Sequence, residues 1–453
     1  MQPGPGIGRG PSNPEESPMH NNKNFRRLPT TLGGLLLAAA LPAQAYEMAD
    51  LGHATVDIDL QALLGAFHSD RGYATGAAEP GRYRWQEGVV TLGAELNPKE
   101  SGLYGRVSTV GTATWGDGDA AGFTSGRERE LDLEDAVVGY RSEALGGSSW
   151  SLDVSAGRQP ITLGEGFLVA GDALSLGDAL GEELDRGGAY YLAGRKAFDR
   201  TAVVALGRDG WRGQLAWFAS DNPAQASTEM AAFTLTREHA HGLVEASYLR
   251  GLGVDEGEAS PFLAERDGMD VYDLRVEQRL LDEALTLRGE FAHQRKDSRE
   301  TAWALEPAWT FSELPGQPTL SLRYSRFSEG WDALFYGFTR SYGTWFQGEV
   351  AGNYAGPFNS NAEAWRLGLT GSVSESLHLG LLAYDFESLD TADQPDMGGR
   401  ELNLYAEWLP SDWLYVSPLL GWYSPDRSAA EGGIQLGDDE ASFYAQLLVG
   451  VFF

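Results

Sequence analysis

The chain has 453 residues with 58 Gly, 13 Trp, 18 Tyr, 19 Phe and no Cys, and 34 Lys plus Arg against 65 Asp plus Glu give a net charge of -31. A chain this acidic offers no basic face to nucleic acid, and without Cys it has no disulfide, thiolate nucleophile or Cys-ligated metal. Abundant Gly and aromatic residues favour an all-β protein rich in turns, and the length suits either two or three soluble domains or one large barrel.

The first element is a leader. Lys23, Arg26 and Arg27 form a basic region, an apolar stretch runs from Leu32 to Leu41, and Ala43-Gln44-Ala45 supplies a small-x-small cleavage site before Tyr46. That order is the plan of a secretory signal peptide, and its apolar core is well short of the ~20 residues that span a bilayer as a helix. The expected division is a cleaved signal over residues 1–45, with Met19 as an alternative start, and a barrel over 46–453.

Downstream, alternation of period two replaces any long apolar run. Val56, Ile58, Leu60, Ala62 and Leu64 share one face against Asp57, Asp59 and Gln61, and Leu402, Leu404, Ala406 and Trp408 oppose Glu401, Asn403 and Glu407. About eighteen such segments follow one another, with links alternately short and long. Short links include Asn97–Gly102, Gly207–Gly210 and Leu409–Asp412; long ones include Thr162–Gly188, Gln294–Glu300 and Gly330–Ser360. Outer-membrane barrels have this asymmetry, with short periplasmic turns and long extracellular loops. At the end of the chain Phe443, Ala445, Leu447, Val449, Val451 and Phe453 lie on one face, which resembles the terminal strand that barrel-assembly machinery recognises. Trp85, Tyr140, Trp211, Trp303, Trp309, Trp408, Trp413 and Trp422 suit interfacial girdles. The expected fold is an all-β, transmembrane antiparallel β-barrel of about 18 strands in a Gram-negative outer membrane, surrounded by lipopolysaccharide and phospholipid.

No catalytic pattern is found: there is no GxSxG elbow, HExxH or P-loop, and His239-Ala240-His241 lacks a third ligand nearby. Acidic pairs such as Asp117/Asp119, Glu128/Glu130 and Asp438-Asp439 fall in predicted outer loops and read as solvated. No enzyme activity, metal or cofactor is expected. The inward face carries the interest. Alternation assigns Arg106, Arg275, Arg279, Arg288, Arg323 and Arg366 to the lumen, with Glu95, Asp273, Glu277, Glu290 and Glu407 as acidic neighbours. Ionised groups are tolerated there only against water or one another. Only four of the basic residues are Lys, and Arg grips carboxylate bidentately. The segments 162–188 and 330–360 are long enough to fold inward as a constriction.

Several runs are familiar. Gly157-Arg158-Gln159-Pro160 followed by Ile161 to Phe167, then Leu184-Asp185-Arg186-Gly187-Gly188-Ala189, resembles the alginate-export family of outer-membrane proteins. So do Leu334-Phe335-Tyr336-Gly337-Phe338, the run from Tyr342 to Glu349, and Asn359-Ser360-Asn361. The resemblance implies an 18-stranded barrel passing an anionic uronate polysaccharide through an Arg-lined constriction, to which Arg158 would belong. By simple alternation Arg158 shares a face with Val154 and Ala156, so a lumen position requires a bulge there or the strand's end. The chain departs from the alginate exporter in reading Glu134-Asp135 where that protein has Arg next to Glu, and Gln347 where it has another Arg. Two functions follow: a passive channel for an anionic polysaccharide or small hydrophilic solute, or a structural and adhesive barrel with a closed lumen.

Overall fold

The computed structural model describes residues 46–100, 102–337 and 348–453. The expected leader and Gln347 lie outside the described residues. A short strand β1 (Tyr46–Asp50) precedes eighteen strands that form the wall. These are β2 (Ala54–Ser69), β3 (Tyr83–Pro98), β4 (Gly102–Gly116), β5 (Arg129–Ser142), β6 (Ser151–Gln159), β7 (Phe198–Arg208), β8 (Trp211–Ala219), β9 (Glu229–His239) and β10 (Gly242–Gly253). The second half comprises β11 (Asp270–Leu280), β12 (Leu285–Arg295), β13 (Arg299–Thr310), β14 (Thr319–Phe327), β15 (Ala362–Ser374), β16 (Leu377–Ser388), β17 (Gly399–Ser411), β18 (Leu414–Pro425) and β19 (Ser442–Phe452).

Each strand pairs antiparallel with the next, and β19 returns to β2 from Tyr444↔Ser69 to Phe452↔Gln61, so the sheet closes into an 18-strand barrel. Closure leaves no open edge along the wall, which is what a backbone in lipid requires. β2 runs on past the end of β19, and β1 occupies that stretch with Tyr46↔Ile58 to Asp50↔Thr55.

The alternation read from the sequence becomes the two faces of the wall. Outside, Leu64, Leu92, Leu131, Leu215, Phe291, Leu305, Leu367 and Trp408 are exposed, forming the apolar exterior of a barrel that sits in lipid. Links alternate as expected, with one correction. The connection after β12, predicted to be long, is only residues 296–298, because strand pairing continues out to Arg295↔Arg299. Trp85 is a second correction. It points inward, fully buried, stacked on Phe67 at 5.0 Å with Tyr354 edge-on at 5.6 Å. Asp119 is a third, since it is buried rather than solvated, as Glu128 is too. The Asp119 carboxylate accepts from Ala121 N at 2.9 Å, Thr124 N at 2.6 Å and Thr124 Oγ1 at 2.7 Å, folding its loop upon itself.

The apolar core lies inside the barrel, in two clusters. One gathers Phe67, Trp85, Tyr191, Tyr354, Tyr405 and Tyr444; the other gathers Phe167, Phe198, Phe218, Phe327, Trp331 and Phe335. Both contain residues from the segments after β6 and after β14, so these long links are folded into the barrel.

Candidate functional site in the lumen

The inward segments are held by wall carboxylates and hydroxyls. Residues 160–197 cross the barrel. Near their start Glu165 lies 3.6 Å from Arg275 of β11, and near their end Leu192 N donates to Glu87 of β3 at 2.9 Å. Between these, Thr112 and Thr114 of β4 bond Gly187 O and Ala189 N, each at 2.8 Å. Val169 bridges to Phe335, joining the two inward segments. From the other segment Glu349, Val350 and Ala351 donate their backbone N–H groups to Glu401 of β17 at 2.8–2.9 Å. A carboxylate that accepts several N–H bonds fixes a loop strongly, because each bond is charge-assisted and shielded from water.

The wall between these anchors carries charge. On β12 to β15, three guanidiniums converge on one carboxylate. Glu306 Oε2 lies 3.2 Å from Arg323 Nη1 and 3.1 Å from Arg366 Nη1, and Glu306 Oε1 lies 3.5 Å from Arg288 Nη1. Arg288 also holds Glu277 at 2.9 Å. Arg323 and Arg366 are direct cross-strand partners, a like-charge pairing tolerated because Glu306 sits between them. A small cavity opens here, lined by Arg275, Arg288, Glu290, Glu306 and Arg323, with Glu165 from the inward segment.

On β2 to β5 the arrangement is inverted. Arg106 Nη1 lies 2.5 Å from Asp59 and 3.6 Å from Glu95, and Arg106 Nε lies 3.0 Å from Asp135. To reach Asp59 on β2, the Arg106 side chain crosses β3 over Gly93. A Cβ at that position would stand 2.5 Å from both Arg106 Nη2 and Asp59 Oδ2, so those two side-chain ends would have to shift. β4 and β13 are nine strands apart in either direction round the ring, and the two clusters therefore face each other. Arg106 and Glu306 each lie four residues from the short-turn end of their strand.

A third cluster gathers the familiar motifs. The register slips between Gly157 and Gln159 of β6, and Gly157 adopts φ +133°. This bulge turns Arg158 inward, against strict alternation. Its Nη1 meets Asp221 at 2.7 Å and Asp199 at 3.1 Å, and its Nε donates to Leu133 O at 3.0 Å. Arg186, from the Asp-Arg-Gly-Gly run, reaches the other oxygen of Asp221 at 3.1 Å and Asp172 at 3.1 Å. Burial pushes the Asp221 carboxyl up, but Arg158 and Arg186 outweigh it and hold the group below the usual carboxylate range. A bulge in β5 sets Glu134 and Asp135 together opposite Ser108. Asp135 is bound by Arg106 and Ser108, while Glu134 accepts from Lys196 N and Ala197 N at 2.7 and 2.8 Å.

The structure thus brings Arg288, Arg323 and Arg366 together, joins Arg106 to Asp135, and sets Arg275 beside the same cavity, with Glu245 at 3.2 Å. Sequence reasoning passed over Glu306 and Asp221, and it placed Asp59 and Glu401 on polar strand faces without giving them a role. Glu306 was legible, since Ala302, Ala304, Glu306 and Ala308 form the inward face of β13 between Trp303, Leu305 and Trp309. Asp221 sits in a link, where alternation says nothing. Among the described residues no group of three or more His, Asp or Glu side chains is placed to hold a metal.

No family model and no curated protein matches the chain. Solved structures do. OccAB1 of Acinetobacter baumannii superposes with a TM-score of 0.56 at 11% identity, covering 90% of this chain and 98% of that one. The chain has the fold of an outer-membrane porin. A BenF-like porin from Pseudomonas fluorescens Pf-5 gives 0.56 at 11% identity over 88% and 98% of the two chains, and Pseudomonas aeruginosa OpdQ gives 0.53 at 11% over 88% and 97%. Porins are channels and not enzymes. These three solved structures are porins, and the narrower likeness to alginate exporters is one of sequence motifs.

Proposed function

We propose that the chain is a passive outer-membrane channel for small hydrophilic solutes, with a preference for those that carry negative charge. The observation that carries this reading is the pair of opposed charged clusters inside a closed barrel whose exterior is apolar. Charged groups facing inward in such numbers are stable only against water and one another, and a solute threading between them exchanges its hydration for guanidinium and carboxylate contacts. An anionic group would meet the Arg288–Arg323–Arg366 wall, where three guanidiniums surround the one carboxylate of Glu306. In this reading the mature barrel begins near Tyr46, and Arg158 and Arg275 add to the polar lining.

Purified protein in planar bilayers tests this directly. Stepwise conductance is expected, with a reversal potential under a salt gradient on the anion side. Absence of conductance at every voltage would favour the structural, adhesive barrel. A narrower reading, passage of an anionic uronate polymer, is supported by Arg158 and Arg186, which come from two motif runs and share Asp221. Under it, soluble oligouronates added to one side interrupt the current. If current is unaffected at saturating oligouronate, the cargo is a small solute.

A further inference from the structure

The ring of strands is closed, but its rim is uneven beside β5. β6 pairs with β5 only from Ala136↔Arg158 to Ser142↔Leu152, and at Gln159 it leaves the wall to begin the inward segment. β5 extends further, from Asp135 up to Arg129. There it is paired with β4 on one side and, among the described residues, with no strand on the side of β6. Thr114 N donates to Glu128 O, so every second residue from Glu128 faces β4. Arg129, Leu131 and Leu133 therefore turn their N–H and C=O groups toward the missing part of β6. Leu133 is met by side chains, its N–H donating to Asp132 Oδ1 at 2.7 Å and its C=O accepting from Arg158 Nε at 3.0 Å. Leu131 has no such partner among the described residues, and its side chain is 75% exposed on the lipid side.

A backbone edge beside lipid is tolerated only where water or another polar group reaches it. Two guanidiniums stand behind this one. Arg158 holds Leu133 O, and Arg195 Nη2 lies 2.6 Å from Asp132 on the same strand. Both side chains are more than nine-tenths buried, yet Arg158 Nη2 and Arg195 Nε have no hydrogen-bond partner. A buried donor without an acceptor is costly, and an anionic group reaching the notch satisfies both nitrogens. Residues 174–177 form a strap across the top. Leu174 O accepts from Asn222 Nδ2 at 2.8 Å in the link after β8, and Gly177 N donates to Phe123 O at 2.9 Å in the link after β4. The notch thus has a floor at Gln159, a strap above, two cations within, and Leu131 and Leu133 exposed on its outer side.

We propose that this notch is a lateral site for a single-chain carboxylate, which reaches the lumen cluster through the wall instead of through the mouth. Its head meets Arg158 and Arg195, and its alkyl chain lies along Leu131 and Leu133. Two unpartnered nitrogens match the two oxygens of a carboxylate, and two leucines in line on one strand make a track for one chain. The inference rests on the channel reading for where the solute goes, since Arg158 and its partners Asp199 and Asp221 belong to the lumen.

The chain has no Cys, so one fluorophore can be placed at L131C, or at L322C on the outer face of β14, nine strands away. In phospholipid nanodiscs, stearate carrying a nitroxide on its chain is expected to quench the label at L131C more strongly than the label at L322C. Decanoate is expected to remove that excess, and butyrate and decyltrimethylammonium to leave it. R158Q and R195Q are each expected to weaken the competition by decanoate about tenfold, one charge-assisted contact being lost. Each variant is checked for heat-modifiable mobility, and R195Q keeps the test decisive if R158Q, which also frees Asp199 and Asp221, does not fold. Equal quenching at the two positions, or an excess that R195Q leaves unaltered, overturns the proposal. Displacement by butyrate overturns the need for a chain, and tighter competition by decyl phosphate overturns the carboxylate head. Excess quenching in a barrel that carries no current counts against the channel reading alone; current without excess quenching counts against the notch alone.

Discussion

The wall of β12 to β15 and the wall of β2 to β5 solve one electrostatic problem with opposite signs. In the first, Arg288, Arg323 and Arg366 share Glu306; in the second, Asp59, Glu95 and Asp135 share Arg106. A shared ion lets like charges stand side by side on a rigid sheet, because each is attracted to the hub more strongly than it is repelled by the next. At an effective dielectric constant of about 20, a contact near 3–4 Å amounts to about 4–5 kcal/mol before desolvation is subtracted. The hubs differ in what removal leaves behind. Without Glu306 the first wall is a bare cationic patch; without Arg106 the second is a bare anionic one. Ion pairs that merely neutralise would hold the wall but give a solute no direction, whereas these two hubs carry opposite central charge on facing sides.

The largest expected effect comes from Glu306→Gln. Removing the carboxylate from among buried guanidiniums should destabilise the barrel by about 3–5 kcal/mol, read as a lower temperature of heat-modified mobility, and should move the reversal potential further toward anions. If neither changes, Glu306 is not the hub of that wall. Gly93→Ala is next. It changes no charge, but its Cβ falls where Arg106 passes to Asp59. Separating that pair is expected to cost about 1.5–3 kcal/mol with little change in selectivity, which would distinguish the geometry of the acidic wall from its charge. A shift in selectivity equal to that of Glu306→Gln would contradict the comparison.

A smaller and local effect concerns the segment between the walls. Burial pushes the Glu349 carboxyl up to about 8 from 4.5; the Tyr191 hydroxyl opposes this and the neighbouring Glu401 adds to it. The folded state holds the proton more tightly than the unfolded chain, so this stabilisation is complete below pH 4.5 and is lost as pH rises through about 8. Current fluctuations from loss of the inward segment are expected to grow between pH 5 and 9 and to lose that dependence in Glu349→Gln; equal pH dependence in both would place the titrating group elsewhere. The smallest effect is expected from Asp221→Asn, which loosens Arg158 and Arg186 together. Asp221 is partly exposed, so a loss of about 1 kcal/mol is appropriate, with a modest gain in anion conductance checked in single-channel traces.

How much of this could be read in advance varies from residue to residue. Strand periodicity placed Arg106, Arg275, Arg288, Arg323 and Arg366 on the inward face, because side chains on a strand alternate without exception until the register slips. It failed at Arg158, Glu134 and Asp135 for one reason: each depends on a bulge, and a bulge adds a residue to one strand against its partner, which no single strand reveals. Trp85 misled because inward and girdle tryptophans look alike in sequence; what separates them is the two inward segments, carrying Tyr191 and Tyr354, which close over Phe67 and Trp85.

By itself the sequence determined the class of fold, the strand faces and the alternation of short and long links, since these follow from local period and turn composition. Only the tertiary structure decided which charges meet. Glu306 and Arg366 are 60 residues apart, Arg106 and Asp59 are 47, and their contacts exist because closing the sheet sets cross-strand neighbours at one height. The overall charge of -31 is fixed by composition, but the facing of two hubs of opposite sign is a property of the closed barrel, where nine strands separate them in either direction.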